Sequence, residues 1–166
     1  GIPMKPRELD KKARLRLSAK PQEILRGLWT TGGVTKRLEP EGRSARHVVR
    51  KDGAYISDPY LDDLSLVWKG KDELIVLLGC AHAGVLNVLA HVRDMFHEPI
   101  AAVIGGMHLH RADEKVLDHI VEVLGQEYPD VCLYPNHCTG VTGFLALNRA
   151  FGSAVHPCPA GTVLEF

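Results

Sequence analysis

Three histidines each follow an apolar stretch of the chain and precede a helical pattern. They are His82 in "LIVLLGCAHAGVLN", His108 in "AAVIGGMHLHR" and His137 in "VCLYPNHCTGVTGFLAL". Imidazole is the commonest metal ligand in proteins, and a turn that follows a strand can hold it accurately in place. We therefore predict a divalent metal site built from His82, His108 and His137. Zinc is the first choice of ion, and manganese and iron are the alternatives.

The other histidines and the cysteines take lesser roles in this interpretation. His110 lies two residues after His108 and is a further candidate for the same cleft. We interpret the remaining histidines as surface or structural residues: His47, His91, His97, His119 and His156. The four cysteines have neither disulfide-rich nor CxxC spacing, which is typical of reduced thiols in a cytoplasmic protein. For Cys80 and Cys138 we favour buried, inert thiols over nucleophiles or ligands.

Composition limits the classes of partner. The 166 residues are enough for one domain with its own core. Twenty basic and twenty acidic residues cancel, which argues against nucleic acid or an anionic membrane as the partner. No apolar run approaches the roughly 20 residues of a membrane span. The first residue is glycine rather than methionine, which favours a trimmed tag or a piece of a longer polypeptide. We expect a cytoplasmic protein with a small-molecule substrate.

The elements that position the histidines follow from periodicity and turn residues. Residues 1–22 are a basic segment or linker with little core. Residues 23–31 are predicted as one strand, 40–63 as loop with one short strand, and 64–79 as a hairpin around the turn 70–72. Then follow helix 83–97, strand 100–106, a helix from about Asp113, strand 131–135, helix 140–151, and short strands at 153–157 and 161–166. This alternation predicts an α/β fold, in which ligands bind at the carboxyl ends of strands.

The histidine-bearing motifs resemble those of a known superfamily. "GCAHAGVLN", "IGGMHLHRAD" and "PNHCTGVTG" together are similar to the metallo-β-lactamase fold superfamily. More narrowly, they resemble its metal-dependent hydrolases and dihydropterin-aminobenzene-ribofuranosyl phosphate synthase-like proteins. The resemblance covers about residues 22–166. It implies a four-layer αββα sandwich with one or two metal ions at the edge of its sheets, of which residues 23–166 are the C-terminal part.

The resemblance also implies roles for the histidines. His82 matches the metal ligand that follows the "GC" turn, and His137 matches the late histidine that completes a second metal site. His108 lies where many relatives place a bridging aspartate, and "GG" stands here where "GD" is common, so His108 is a candidate substitute. The superfamily's HxHxDH signature is missing from the chain. We expect it on an N-terminal half of about 80 to 120 residues.

The function that the resemblance implies is metal-dependent hydrolysis of a phosphoester, thioester or related bond by metal-activated water. Thr139, Gly140 and His110 would bind substrate, but no catalytic residue is assigned. Asp62 and Asp63 would orient a ligand histidine, and a solvated turn is the alternative for them. Two other functions stay open. The chain would be either the non-catalytic half of a split or processed protein, with an exposed apolar patch for its N-terminal partner, or a metal-free scaffold domain. A homo-oligomer is compatible with each.

Overall fold

The computed structural model of the chain describes residues 4–44 and 46–166. Its main element is a mixed sheet of six strands with three longer helices. The strands are β1 (Gln22–Leu25), β2 (Leu28–Thr30), β3 (Val48–Lys51), β4 (Ala54–Ser57), β5 (Leu66–Lys69), β6 (Leu74–Leu78), β7 (Ile100–Gly106) and β8 (Cys132–Asn136). The helices are α1 (Pro6–Asp10), α2 (Val85–Met95), α3 (Glu114–Glu127) and α4 (Gly140–Phe151), and short 3-10 helices span His137–Thr139 and Gly152–Ala154.

The order of strands in the sheet is β1-β2-β5-β6-β7-β8, and β3 pairs with β4 in a separate hairpin. The first four strands of the sheet are antiparallel, whereas β6, β7 and β8 are parallel. α2 connects β6 to β7, and α3 connects β7 to β8. Because both crossovers advance in the same direction and such connections are right-handed, both helices lie on one face of the sheet. α4 follows β8 and packs against α3 and β8.

The core lies between the sheet and this helical layer. Four residues that pair across β5, β6, β7 and β8 form one row. Each of these residues is at most 1% exposed: Val67, Val76, Val103 and Leu133. The apolar faces of the helices cover this row. α3, for example, buries Leu117, Ile120 and Leu124 at helical spacing. The parallel strands are therefore held rigidly, and so are the turns that follow them.

The opposite face of the sheet is less covered. The next row of paired residues, which alternation places on that face, is only half-buried: Leu66, Leu77, Ile104 and Tyr134. Trp68 on the same face is 38% exposed. The face is thus apolar and only partly enclosed by the described residues, which bury Ile75 and Ala102 on it.

Several predicted elements are confirmed. Strand 100–106 and helix 140–151 are found with the predicted bounds, and the hairpin around residues 70–72 is closed by a hydrogen bond from Gly70 N to Glu73 O. Helix 83–97 is found as the shorter α2, and the third helix begins after Asp113, whose side chain accepts a hydrogen bond from Val116 N. None of the helices in the described ranges is both long and apolar enough to cross a lipid bilayer.

Other predictions of elements are wrong, and the causes are local. Residues 23–31 form a hairpin rather than one strand, because Gly27 turns the chain with φ +78°. The loop 40–63 contains two strands, joined at Asp52 and Gly53 in left-handed conformations that suit a tight hairpin. Neither C-terminal strand forms. Only an isolated bridge joins Val155 to Leu133, since the two prolines that follow lack the N–H groups that a strand needs.

Candidate metal centre

The turns after the three parallel strands meet at one edge of the sheet. Leu78 of β6 pairs with Gly105, and Gly106 of β7 pairs with Asn136, so the strands end side by side. In each turn one non-glycine residue takes a left-handed conformation: Ala81 and His108 have φ +51°, and His137 has φ +47°. Such conformations cost about 1 kcal/mol or more each and concentrate at functional sites. The backbone strain therefore coincides with the predicted ligands.

The side chains at this edge form two overlapping groups of metal donors. The first contains Cys80, His82 and His108, and the second contains Cys80, His137 and Cys138. Within each group the donor atoms all lie within 4.8 Å of one another. The structure therefore brings the three predicted histidines together around one cysteine that the sequence did not assign as a ligand.

His108 is the most enclosed of the three histidines. Its Nδ1 is buried and has no hydrogen-bond partner among the described residues. The ring centroid lies 4.6 Å from that of His82 and 4.8 Å from that of His110. Burial, reinforced by the nearby imidazoles of His82 and His110, lowers the pKa of His108 from 6.5 to about 4. The imidazole is therefore neutral at physiological pH, which is the form that binds metal ions.

His82 is held by neighbours from the segment before β5. Its ring stacks on Tyr60 with centroids 4.3 Å apart, and its Nδ1 lies 3.9 Å from Asp63 Oδ1. The other oxygen of Asp63 accepts a hydrogen bond from Ala83 N at 2.8 Å. Of the two predicted aspartates the structure brings only Asp63 to the histidine. Asp62 is exposed and has no ion pair in the described part of the chain.

Tyr60 and His47 belong to the same neighbourhood, although the sequence did not indicate them. Tyr60 is buried, with φ +46°, and its hydroxyl is hydrogen-bonded to His47 Nδ1. The ring of His47 is 6.4 Å from that of His82. Both residues reach the site from a loop and not from a strand end. The strand-to-turn pattern that singled out the other histidines therefore could not find them.

The predicted substrate-binding residues make structural contacts. Thr139 is 1% exposed, and its hydroxyl accepts a hydrogen bond from Met107 N at 3.1 Å. His110 binds the carbonyl of Cys138 through both its backbone N and its Nδ1, at 3.3 and 3.2 Å. These contacts hold the turn after β7 against the turn that begins α4 with Gly140. His110 is also exposed. Substrate contact by His110, Thr139 and Gly140 stays a prediction.

The loop 38–42 closes one side of the centre and is fastened by Asn87. This buried side chain accepts hydrogen bonds from the N–H groups of Leu38 and Glu39 and donates to two carbonyls. Further along the loop, Gly42 N donates to His82 O at 3.0 Å, and Gly42 packs on the His108 ring. Asn87 was missed. Its signal in the sequence is a lone amide on the apolar face of "AGVLNVLAHV".

The two cysteines are in contact and half-buried rather than fully buried, and their expected inertness stays a prediction. The Cys138 thiol donates to Cys80 O at 3.5 Å, and burial raises its pKa from 9.0 to about 11. Gly106 explains why they fit. A Cβ on Gly106 would lie 2.6 Å from both Cys138 Sγ and Gly79 O, so no side chain can stand at that position. Cys138 therefore occupies the space where a side chain of residue 106 would begin.

A pocket of about 570 Å³ opens beside His108. One wall is the loop that carries Arg43 and Arg46, and the other is the turn that carries His110 and Arg111. Arg43 forms a two-pronged ion pair with Glu41. Arg46 and Arg111 have no carboxylate partner in the described part of the chain. The pocket therefore offers positive charge to a bound molecule.

Comparisons with known proteins find two that resemble this chain. A 7,8-dihydropterin-6-methyl-4-(beta-D-ribofuranosyl)-aminobenzene-5'-phosphate synthase of Methanocaldococcus jannaschii is 24% identical over 155 residues, which are 90% of this chain and 52% of the relative. The crystal structure of a metal-dependent hydrolase of the beta-lactamase superfamily matches with a TM-score of 0.81 and 27% identity, over 90% of this chain and 57% of that one. No protein-family model matches.

The chain spans a little over half the length of these two proteins. The predicted α/β fold and the predicted resemblance are both confirmed by them. The boundary predicted between residues 1–22 and 23–166 stays a prediction. The chain therefore has the fold of the metallo-β-lactamase superfamily, and its likeness in sequence and structure is to the metal-dependent hydrolases of that superfamily.

Proposed function

We propose that the chain belongs to a metal-dependent hydrolase that acts on an anionic small molecule, with a phosphoester as the first choice of substrate. The observation that carries the proposal is the histidine and cysteine cluster beside a pocket lined by Arg46 and Arg111, which have no carboxylate partner among the described residues. A divalent ion held there would supply a Lewis acid and lower the pKa of a bound water. A thioester or a related bond is the alternative target.

The donor set fits such an ion. His108 presents a neutral imidazole, and its buried Nδ1 has no partner within the described residues, which is a cost that a bound ion would remove. His82 and His137 supply further imidazoles, and Cys80 lies between them. Nitrogen and sulfur donors suit zinc and iron better than magnesium or calcium. We therefore propose zinc as the resident ion. A cytoplasmic location stays a prediction.

The residues of the pocket would bind and orient the substrate. Arg46 and Arg111 both line the pocket, and both are exposed. A phosphate between them would lie close to His108, which the pocket shares with the metal cluster. Arg111 follows His110 directly, so its position is tied to the turn that carries the proposed ligands. We propose these two arginines as the residues that select an anionic substrate.

The test compares a phosphodiester, bis(p-nitrophenyl) phosphate, with the neutral ester p-nitrophenyl acetate. The full chain is loaded with zinc, manganese or iron before the assay. We expect turnover of the phosphodiester that a chelator abolishes. Arg111→Glu should raise KM by about tenfold or more with a small change in kcat, because charge reversal repels the anion before the chemical step. Arg149→Glu, an exposed arginine on α4, is the control. The proposal is contradicted if the chelator leaves the turnover unchanged, or if no turnover is found with any of the three ions.

A second candidate, a half-protein that needs an N-terminal partner, is favoured by the open face of the sheet. Leu66, Leu77, Ile104 and Tyr134 leave that apolar face half-exposed, and the chain spans 52% of its curated relative. Exposed apolar faces of this kind mark interaction surfaces. We propose that the partner is a β-sheet segment that carries HxHxDH and supplies the remaining metal ligands.

This candidate is tested by mixing the chain with a separately expressed HxHxDH-bearing half. We expect a one-to-one complex by light scattering and a gain in metal-dependent hydrolysis. Ile104→Glu should prevent association, because it places a charge in the buried interface. Leu145→Glu, on the exposed side of α4, should not. Self-association of the chain, or a mixture that stays as two separate species, contradicts the candidate.

A further inference from the structure

We propose that Cys80 is a metal ligand shared by the two donor groups, so that the centre binds its ion or ions through mixed imidazole and thiolate ligands. This inference rests on the proposed metal-dependent function and deepens it. It concerns the identity of the ligands, however, and needs only that the chain binds an ion. Hydrolysis is not required for it to hold.

The first argument is position. Cys80 is the one residue common to both groups of donors, and its donor atom lies within 4.8 Å of those of His82 and His108 on one side and of His137 and Cys138 on the other. A tetrahedral ion with bonds of about 2.0 to 2.3 Å holds its ligand atoms roughly 3.3 to 3.8 Å apart. The donor atoms of each group, which lie within 4.8 Å of one another, are close to that spacing. A thiolate at the shared position can serve one ion or bridge two.

The second argument is charge. Imidazole binds a metal ion without adding charge, so a divalent ion at this edge needs an anionic ligand to offset its charge. Asp63 is the nearest carboxylate, but one of its oxygens is taken by Ala83 N and the other faces His82 Nδ1. No acidic group other than the two thiols belongs to the donor groups found in the described ranges. A thiolate is therefore the anionic ligand that the site offers.

The third argument is the space at Gly106. A residue with a side chain there would start 2.6 Å from Cys138 Sγ, so a carboxylate cannot reach the ion from this position. The Cys138 sulfur occupies part of the volume that such a carboxylate would need. Cys138 itself belongs to one group only, and its thiol donates to Cys80 O. Cys80 is thus the better placed of the two cysteines.

The fourth argument is the unsatisfied nitrogen of His108. Its buried Nδ1 lacks a hydrogen-bond partner among the described residues, and this imidazole belongs to the donor group of Cys80 and His82. A buried polar atom without a partner costs about 1 to 3 kcal/mol. A bound ion would remove that cost, and the thiol proton of Cys80 would be released to solvent as the thiolate binds.

The experiment uses cobalt, because a thiolate bound to Co²⁺ gives a charge-transfer band in the near ultraviolet. The metal-free full chain, kept reduced with a phosphine, is titrated with Co²⁺. We expect the band in the wild type and in Cys132→Ser, whose cysteine lies outside both donor groups. Cys80→Ser should lose about nine-tenths of the intensity, and Cys138→Ser less than half. An intact band in Cys80→Ser, cobalt binding without a band, or no binding of cobalt by the wild type would overturn the inference.

A measurement on the wild type covers the case in which Cys80→Ser does not fold. Alkylation of each cysteine by iodoacetamide is followed by mass spectrometry with and without zinc. Zinc should slow modification of Cys80 about tenfold or more and leave Cys158 unchanged; equal rates at Cys80 would overturn the inference. Hydrolysis without thiolate ligation would remove this inference and keep the proposed function. Thiolate ligation without hydrolysis of any test substrate would keep this inference and contradict the proposed function.

Discussion

Replacing His82 by alanine is expected to abolish metal binding by the first donor group, Cys80, His82 and His108. The substitution leaves the first donor group with Cys80 and His108 alone, and two ligands do not hold a divalent ion against dialysis. His108→Ala should have the same effect. Elemental analysis should find about one zinc ion fewer per chain in either variant than in the wild type, because the second donor group keeps its three ligands. His97→Ala, an exposed histidine outside both groups, is the matched control.

Thermal unfolding gives an independent reading of the same prediction. At a zinc concentration 100 times Kd, binding stabilises the folded state by about 2.7 kcal/mol. For a domain of this size that corresponds to a rise in Tm of roughly 5 to 10 °C. The wild type and His97→Ala should show this rise, and His82→Ala and His108→Ala should show a clearly smaller one. A full complement of zinc in His82→Ala would refute the metal centre as described, and a loss in His97→Ala would show that binding is unspecific.

Replacing Asn87 by alanine is expected to cost about 3 to 5 kcal/mol of the free energy of unfolding. Four hydrogen bonds disappear together, and the N–H groups of Leu38 and Glu39 and the carbonyls of Glu39 and Ala83 lose their partner. Each such group costs about 1 to 3 kcal/mol when it stays buried, and re-solvation of the loop recovers part of this. The loss is a large share of the 5 to 15 kcal/mol typical of a domain.

Urea unfolding measures this cost, and a matched asparagine is available. Asn148→Ala, on the exposed side of α4, should change stability by less than about 0.5 kcal/mol. Asn87→Asp keeps the acceptor for the two N–H groups but turns a carboxylate towards two carbonyl oxygens, so we expect a loss that grows as the pH rises and the carboxyl ionises. A cost below about 1 kcal/mol for Asn87→Ala would show that the loop does not depend on this side chain.

Loosening of the loop 38–42 should also change the positions of the proposed metal ligands. Gly84, which begins α2 with φ +93°, approaches the carbonyl of Pro40 so closely that a Cβ on Gly84 would lie 2.2 Å from it. The loop continues to Gly42, which contacts both His82 and His108. Asn87 is therefore a positioning residue for two proposed ligands as well as a source of stability.

The sequence alone predicted those parts of the molecule whose signals are local. β7 and α4 have the predicted bounds because apolar periodicity and flanking glycines specify them within a few residues. The meeting of His82, His108 and His137 followed from one rule, that parallel strands end at a common edge. The turns at Gly27 and Gly53 were not predicted from the sequence, and the hairpins that contain them were therefore not predicted either.

By itself the sequence thus determined the fold class, the resemblance to a superfamily and the edge of the sheet where the histidines meet. Only the tertiary structure decided which other residues join them. Cys80 becomes a shared donor because left-handed backbone at Ala81, His108 and His137 turns three separate side chains towards it. Tyr60 and His47 enter through a loop that returns over tens of residues, and Asn87 on α2 holds the loop 38–42. The closure of that loop depends on long-range packing and on buried hydrogen bonds, which no local pattern of residues encodes.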